Sequence, residues 1–220
     1  MEDRDVSGRA HRVADLVRKG ILDGTHPVGS RLSEPEVCAA LDVSRNTLRE
    51  AFRALAEERL VVHELNRGVF VRIPTAQDVH ELYDARRLVE CAAVRDHGRR
   101  TDGLADVAAA LERAQRRADA GDWVGVGAAD VDFHRALTAL GSSRIEALMQ
   151  GIWNELRLVF HGVGRPEEFH GPYLRRNHAI LDTLRERGGV AAARRLRSYL
   201  DEAERQVLRA HRAAPPAPGA

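Results

Sequence analysis

The stretch Leu41-Asp42-Val43-Ser44-Arg45-Asn46-Thr47-Leu48-Arg49-Glu50-Ala51-Phe52-Arg53-Ala54-Leu55 decides how the first third of the chain folds. Leu48, Ala51, Phe52 and Leu55 recur at helical spacing, and Ser44, after a break at Asp42-Val43, is of the type that caps a helix. A helix from about Ser44 to Glu58 is expected, with those apolar residues as its core face. At about 100° per residue, Arg45, Asn46, Arg49 and Arg53 gather on the neighbouring face. An arginine stripe therefore runs beside an apolar one.

Two helices are expected before this one. From Ser7 to Asp23, the residues Ala10, Val13, Leu16, Val17, Ile21 and Leu22 keep helical spacing until Gly24 and Pro27 stop the run. Ser33 followed by Glu36 has the capping-box pattern and opens a short helix through Val37, Ala40 and Leu41. Beyond the third helix, Leu60-Val61-Val62-His63 and Val69-Phe70-Val71-Arg72-Ile73 read as two strands joined by Glu64-Leu65-Asn66-Arg67-Gly68, and Pro74 ends the unit. Three helices followed by a two-stranded wing is the pattern of a winged helix-turn-helix, whose third helix enters the major groove of DNA.

The segments His26-Pro27-Val28-Gly29-Ser30-Arg31-Leu32-Ser33-Glu34, Leu41 to Ala51, and Asn66-Arg67-Gly68-Val69-Phe70-Val71 together resemble the DNA-binding domain of the GntR family of bacterial transcription regulators. On that resemblance the DNA-contacting residues are Arg31, Ser44, Arg45, Asn46, Thr47, Arg49, Arg67 and Gly68. The chemistry agrees: arginine grips guanine O6 and N7 bidentately, and hydroxyls or a wing glycine approach phosphates. The competing reading is a solvated helix face on which Arg45 and Arg49 pair with Glu50 or Glu57. One departure is visible. The family commonly carries a basic residue after the first glutamate of the second helix, where this chain has Glu34-Pro35-Glu36, so a contact made by some relatives is missing or is supplied by Arg31.

The whole chain bounds these readings. It has 220 residues, enough for more than one average domain, with 44% hydrophobic and only 5% aromatic residues, which favours aliphatic helical packing over a β-sandwich. With 34 basic and 33 acidic residues the net charge is +1, so any nucleic-acid surface is local. Lys19 is the only lysine; the arginine excess suits phosphate contact but is equally the mark of a GC-rich coding bias. Cys38 and Cys91 form no disulfide framework, and neither a long apolar run nor a basic-then-apolar start is present, so a soluble cytoplasmic protein with no membrane partner is expected.

From Pro74 to His211 the pattern is helical throughout, with breaks near His97 to Asp102, Gly121-Asp122, Gly141-Ser142-Ser143, Gly162 to Pro166 and Gly188-Gly189. These delimit about six helices, a bundle with room for an internal pocket. Tyr83 to Glu90 and Asp130-Val131-Asp132-Phe133-His134-Arg135-Ala136-Leu137 resemble the effector-binding domain of the FadR branch, known as FCD. The expected fold is mainly α: a winged helix-turn-helix over residues 7–74, an FCD-like bundle over 75–211 and a disordered tail over 212–220.

Asp130 and His134, four apart, share a helix face and suit a divalent, zinc-like metal. Many FCD domains add two histidines 22 residues apart on the last two helices; the register here puts Asn177 and Tyr199 at those positions. His178, about 100° round the helix, is the remaining candidate ligand with Asp130 and His134, and the metal site reads as degenerate. Arg86 matches an arginine of the first FCD helix that would hold a carboxylate; a salt bridge to Glu90 is its plainer role. Arg86, Asp130, His134, Asn177 and Tyr199 are thus the expected effector cavity, while Trp123 and Trp153 read as core. No nucleophile elbow, P-loop, dinucleotide fingerprint or Cys/His cluster indicates catalysis.

The expected function is a non-enzymatic, ligand-responsive repressor that binds a palindromic operator as a homodimer and answers to a small carboxylate. The alternatives are a metal-dependent enzyme with an accessory DNA-binding segment and a DNA binder blind to effectors.

Overall fold

The computed structural model describes residues 2–97, 102–161 and 165–213, and the chain divides between Pro74 and Thr75 into two compact units. The tail expected over 212–220 lies outside the described residues except that the last helix continues through Ala213. The breaks expected near 97–102 and 162–166 are also largely outside them.

The first unit contains α1 (Glu2–Leu22), β1 (Arg31–Leu32), α2 (Glu34–Leu41), α3 (Arg45–Glu57), β2 (Val61–Glu64) and β3 (Gly68–Val71). Val13, Val17 and Ile21 of α1 and Leu48, Phe52 and Leu55 of α3 are buried, as are Leu60, Val69 and Val71 from the sheet side. The periodic apolar residues of α1 and α3 are therefore core, except Leu16, which is exposed, whereas α2 buries none of its residues: Val37 and Leu41 are half-buried and Ala40 is exposed. Arg18 clamps α1 to the end of α3 by a two-pronged pair with Glu58, at 2.7 and 2.5 Å.

Two local expectations change. The wing is part of a three-stranded antiparallel sheet of order β1-β3-β2, in which Arg31 is opposite Phe70 and Leu32 opposite Val69. A two-residue strand has no alternation to read, and only its pairing with β3 reveals it. Ser33 does cap α2 by position, but its side chain makes no capping hydrogen bond. Pro35 lacks one of the two N–H groups that a cap would satisfy; its fixed φ and the acidic Glu34 and Glu36 suit the helix start instead.

The second unit is all helical: α4 (Ala76–His97), α5 (Leu104–Asp119), α6 (Trp123–Ala139), α7 (Ser143–Leu148), α8 (Gln150–His161), α9 (Pro166–Arg187) and α10 (Gly189–Ala213). One helix more than expected is present among the described residues, because the run after Ser142 breaks at Met149, whose N–H is shared between the carbonyls of Ile145 and Glu146. The nearest glycine, Gly151, lies just past the break and inside the first turn of α8. α4 begins on a reciprocal cap, with Thr75 N–H and hydroxyl on Asp78 and the Asp78 N–H on Thr75 Oγ1. α4 and α10 pack along each other, and α6 packs on α4, α5 and α9. Val79, Val107, Phe133, Leu137, Trp153, Leu156, Ile180, Leu196 and Leu200 form one continuous core. Among the described residues no helix is long and apolar enough to cross a membrane.

Because Phe52 is fully buried in the first unit, Phe52→Ala is expected to cost about 3–5 kcal/mol by lost burial and the cavity left behind. Urea unfolding followed by circular dichroism measures this; a loss below about 1 kcal/mol would mean that the site collapses around the smaller side chain.

Candidate nucleic-acid interface and buried polar cluster

The start of α3 is held open to solvent. Ser44 Oγ accepts the Thr47 N–H at 3.2 Å and lies 2.8 Å from Thr47 Oγ1, which satisfies the first turn from within. Thr47 is consequently buried and its hydroxyl is spent on the cap, so it departs from the expected set of contact residues. Ser44, Arg45, Asn46, Arg49 and Arg53 are exposed. Among the described residues Arg45 and Arg53 have no ion-pair partner, and Asn46 approaches Glu50 only at 3.5 Å. Arg49 does pair, but with neither Glu50 nor Glu57: its Nε reaches Glu34 of α2 at 3.2 Å, with the arginine side chain still 58% exposed. A bridge this open is worth little and yields readily to a phosphate or a base edge.

The wing collects the other three residues. Gly68 has φ +110°, and a Cβ there would stand 3.3 Å from Arg31 Nε. The β1 strand thus brings Arg31, distant in sequence, beside the wing. Arg67 pairs with Glu64 at 2.5 Å and rests over the Phe70 ring at 5.4 Å. The expected contact residues other than Thr47 therefore form two exposed groups, one at the head of α3 and one at the wing.

In the second unit, four helices bring the expected cavity residues into one buried chain of hydrogen bonds. Arg86 Nε donates to Glu90 Oε1 at 2.7 Å within α4. The other oxygen of Glu90 lies 2.6 Å from His134 Nδ1 on α6, and His134 Nε2 lies 3.1 Å from the Tyr199 hydroxyl on α10. Tyr199 donates to Asp130 Oδ1 at 3.1 Å, and Asn177 on α9 donates to the same oxygen at 2.6 Å. All six side chains are buried.

The chain has a proton ledger. The Tyr199 hydroxyl has one hydrogen, so when it donates to Asp130 its contact with His134 requires a hydrogen on Nε2. Burial works against the Glu90 charge, but Arg86 and His134 outweigh it and hold the carboxyl below its ordinary value. Burial likewise works against the Arg86 charge and Glu90 overcomes it. Burial, reinforced by Asp130, pushes the Tyr199 phenol well up, and burial pushes Tyr173 up to about 12.

Among the described residues, the buried polar atoms of the bundle without a hydrogen-bond partner include the donors Arg86 Nη2 and Trp153 Nε1 and the acceptor Asn177 Oδ1. The Arg86 guanidinium lies 4.8 Å from the Tyr83 ring and 5.9 Å from that of Trp153. Such orphans are costly in a buried network.

The metal set is not assembled. His178 is only half-buried and outside the chain, because the turn of about 100° that separates it from Asn177 carries it off the inward face. Among the described residues no group of three or more His, Cys, Asp or Glu side chains converges. Asp130 and His134 offer ligand atoms, but these are engaged with Asn177, Tyr199 and Glu90, and an amide and a phenol replace two strong ligands. This donor set does not fit a tight divalent metal.

Two participants were read as less than they are. Glu90 is the hub of the cluster, and its only sequence signal is its i,i+4 relation to Arg86. Trp153, read as core, is fully buried but brings an unpaired N–H. His170 is also buried, tight against Gly127, and no motif announces it.

Comparison with known proteins follows the same division. Residues 9–71 match the model for bacterial regulatory proteins of the gntR family, and residues 81–202 match the FCD domain. A crystal structure from Rhodococcus sp. RHA1, described as a GntR transcriptional regulator, is 55% identical, covering 91% of this chain and 98% of that one, with a TM-score of 0.88. The galactonate operon transcriptional repressor of Escherichia coli K12 is 29% identical over 209 residues, 84% of this chain and 90% of that protein. The gluconate operon transcriptional repressor of Bacillus licheniformis is 31% identical over 151 residues, 67% of this chain and 60% of that protein.

Glu90→Gln is expected to destabilise the second unit by about 3–5 kcal/mol at neutral pH, because Arg86 is left as an uncompensated buried charge. The sign with pH follows from the lowered folded-state value: the contribution is complete above the ordinary carboxyl value of 4.5 and is lost as pH falls through the folded value below it. Urea midpoints from neutral pH down to the acid limit should therefore converge for parent and variant; parallel curves would remove Glu90 from the account.

Proposed function

The chain belongs to the GntR family of bacterial regulatory proteins, in its FCD branch, and we propose that this DNA-binding transcription regulator is a repressor whose grip on its operator is released by a small organic acid. Its relatives are transcriptional regulators rather than enzymes, several of them named repressors. Two of the operons concerned are named for galactonate and gluconate, acids with one carboxylate and many hydroxyls.

The observation that carries the ligand reading is the Arg86 Nη2 without a partner inside the bundle. A guanidinium already anchored by Glu90 through Nε keeps its outer edge for a carboxylate, the geometry in which arginine binds anions best. Trp153 Nε1 would add a second donor, and Asn177 Oδ1 would accept from a ligand hydroxyl. In this reading the acid is held directly, without a metal. Asp130 and His134 orient the ligand-facing Asn177 and Tyr199 through hydrogen bonds.

On the DNA side, Arg45 and Arg49 at the head of α3 read base edges, with Ser44 and Asn46 beside them. Arg31, Arg67 and Gly68 meet the backbone or minor groove. One such head reads few base pairs, so two-fold symmetric dimers on a near-palindromic site, held by the second unit, complete the specificity.

Arg45→Ala and Arg49→Ala should each weaken binding to a genomically selected operator by about 1–3 kcal/mol while leaving non-specific DNA less affected. Arg67→Ala should weaken both and lower the salt slope by about 1. Tight parental binding by both single α3 variants would remove the recognition assignment. For the ligand, a thermal-shift screen of aldonic acids on the full chain should give hits that disappear in Arg86→Lys, which keeps the charge but not the fork, and weaken in Trp153→Phe. Hits indifferent to both changes would place the ligand away from Arg86 and Trp153 and overturn this site, and no hits would leave an effector-blind DNA binder.

A further inference from the structure

A second concave feature borders the buried cluster at Tyr199. α9 and α10 enclose an open groove of about 550 Å³, lined on the α9 side by Arg176, Ile180, Thr183 and Arg187 and on the α10 side by Ala191, Arg194, Arg195, Ser198, Tyr199 and Glu202. The spacings of 4, 3 and 4 on α9, and of 3 or 4 on α10, set one stripe of each helix along the groove. Its size falls within the range of small-molecule sites. Small side chains, Thr183, Ala191 and Ser198, leave the space, and arginines border it.

Its lining is strongly basic. Several bundle arginines are tied to carboxylates, Arg87 to Asp84, Asp201 and Glu204, Arg117 to Asp122, Arg135 to Glu146 and Arg165 to Glu168, and others are exposed singly, but the groove gathers four arginines around one concavity. In the groove the one acidic side chain, Glu202, is taken by Arg176 at 2.9 Å. Arg187, Arg194 and Arg195 are exposed and, among the described residues, pair with no carboxylate, while the exposed Asp182 and Glu186 of α9 are not part of the lining. Three like charges around one concavity repel until an anion joins them.

We propose that the α9–α10 groove is a binding site for a small polyanion, a molecule carrying two or more negative charges as phosphate or carboxylate groups, held by Arg187, Arg194 and Arg195. Tyr199 forms part of the floor and its hydroxyl belongs to the buried cluster, so an occupant of the groove touches a side chain that also contacts Asp130 and His134. The guanidinium forks supply bidentate contacts that a chloride ion cannot use.

The test is a thermal-shift titration of the full chain at constant ionic strength, with pyrophosphate in one arm and citrate in the other. A saturable rise in melting temperature in at least one arm is expected, and the arm that responds identifies phosphate or carboxylate chemistry. In Arg194→Gln/Arg195→Gln the apparent affinity should drop by about tenfold or more, through loss of two charge-assisted contacts. That variant should be no less stable than the parent without anion, since it relieves repulsion; should it fail to fold, Arg187→Gln alone is expected to weaken the same titration. No saturable rise in either arm, or a rise retained in the glutamine variants, overturns the proposal. A rise lost only in Arg86→Lys would move the anion to the bundle interior and overturn it equally.

Discussion

The second unit is organised around one buried carboxylate. Glu90 has no exposure, and it neutralises Arg86 on its own helix while bonding His134 on the next. Charges are expensive in a core unless paired and hydrogen-bonded, and this pairing is what permits the rest of the polar chain through Tyr199, Asp130 and Asn177 to exist. The chain ties α4, α6, α9 and α10 to one another at a point where aliphatic packing alone would fix neither register nor rotation. It also leaves edges unused: one nitrogen of Arg86, one of Trp153 and one oxygen of Asn177. A network that is nearly but not fully satisfied fits a site that a ligand completes.

The first unit solves a different problem. A positive reading edge needs exposed arginines on a small domain, and an apolar core must hold them steady. α3 separates the two by face, with Leu48, Phe52 and Leu55 inside and Arg45, Arg49 and Arg53 outside. Ser44 and Thr47 close the helix start internally, so the exposed arginines project from a capped end. The Arg49–Glu34 bridge links this face to α2 at the place where the family commonly has a basic residue. Whatever specificity the chain has, it is reached without that residue.

Much of this was legible because helical periodicity and strand punctuation are strong signals. The three helices and the wing of the first unit, and the all-helical second unit, follow from where Leu, Val and Phe recur and where Gly and Pro interrupt. What was not legible depended on partners far away in sequence. β1 is strand only because β3 pairs with it, and Arg31 reaches the wing by that pairing alone. The break at Met149 has only Gly151 beside it, and a lone glycine in a helical pattern is a weak stop signal. Capping at Ser33 failed as a side-chain bond because the proline two positions on removed a donor. Asn177 and Tyr199 came into view through a resemblance, and the structure joins them to Asp130, but the role of Glu90 as hub required the third dimension.

The account stands on a coupling between the bundle interior and DNA, which requires a ligand that binds one conformation of the protein better than the other. The most direct measurement is the affinity of the full chain for its selected operator, by fluorescence anisotropy at physiological salt, with and without a saturating organic acid identified by its stabilisation of the protein. The account predicts that the acid weakens operator binding by about 5-fold to 150-fold, the range of ordinary allosteric coupling, and that the effect is absent in Arg86→Lys. An acid that binds in an Arg86-dependent manner while operator affinity stays unchanged would contradict it.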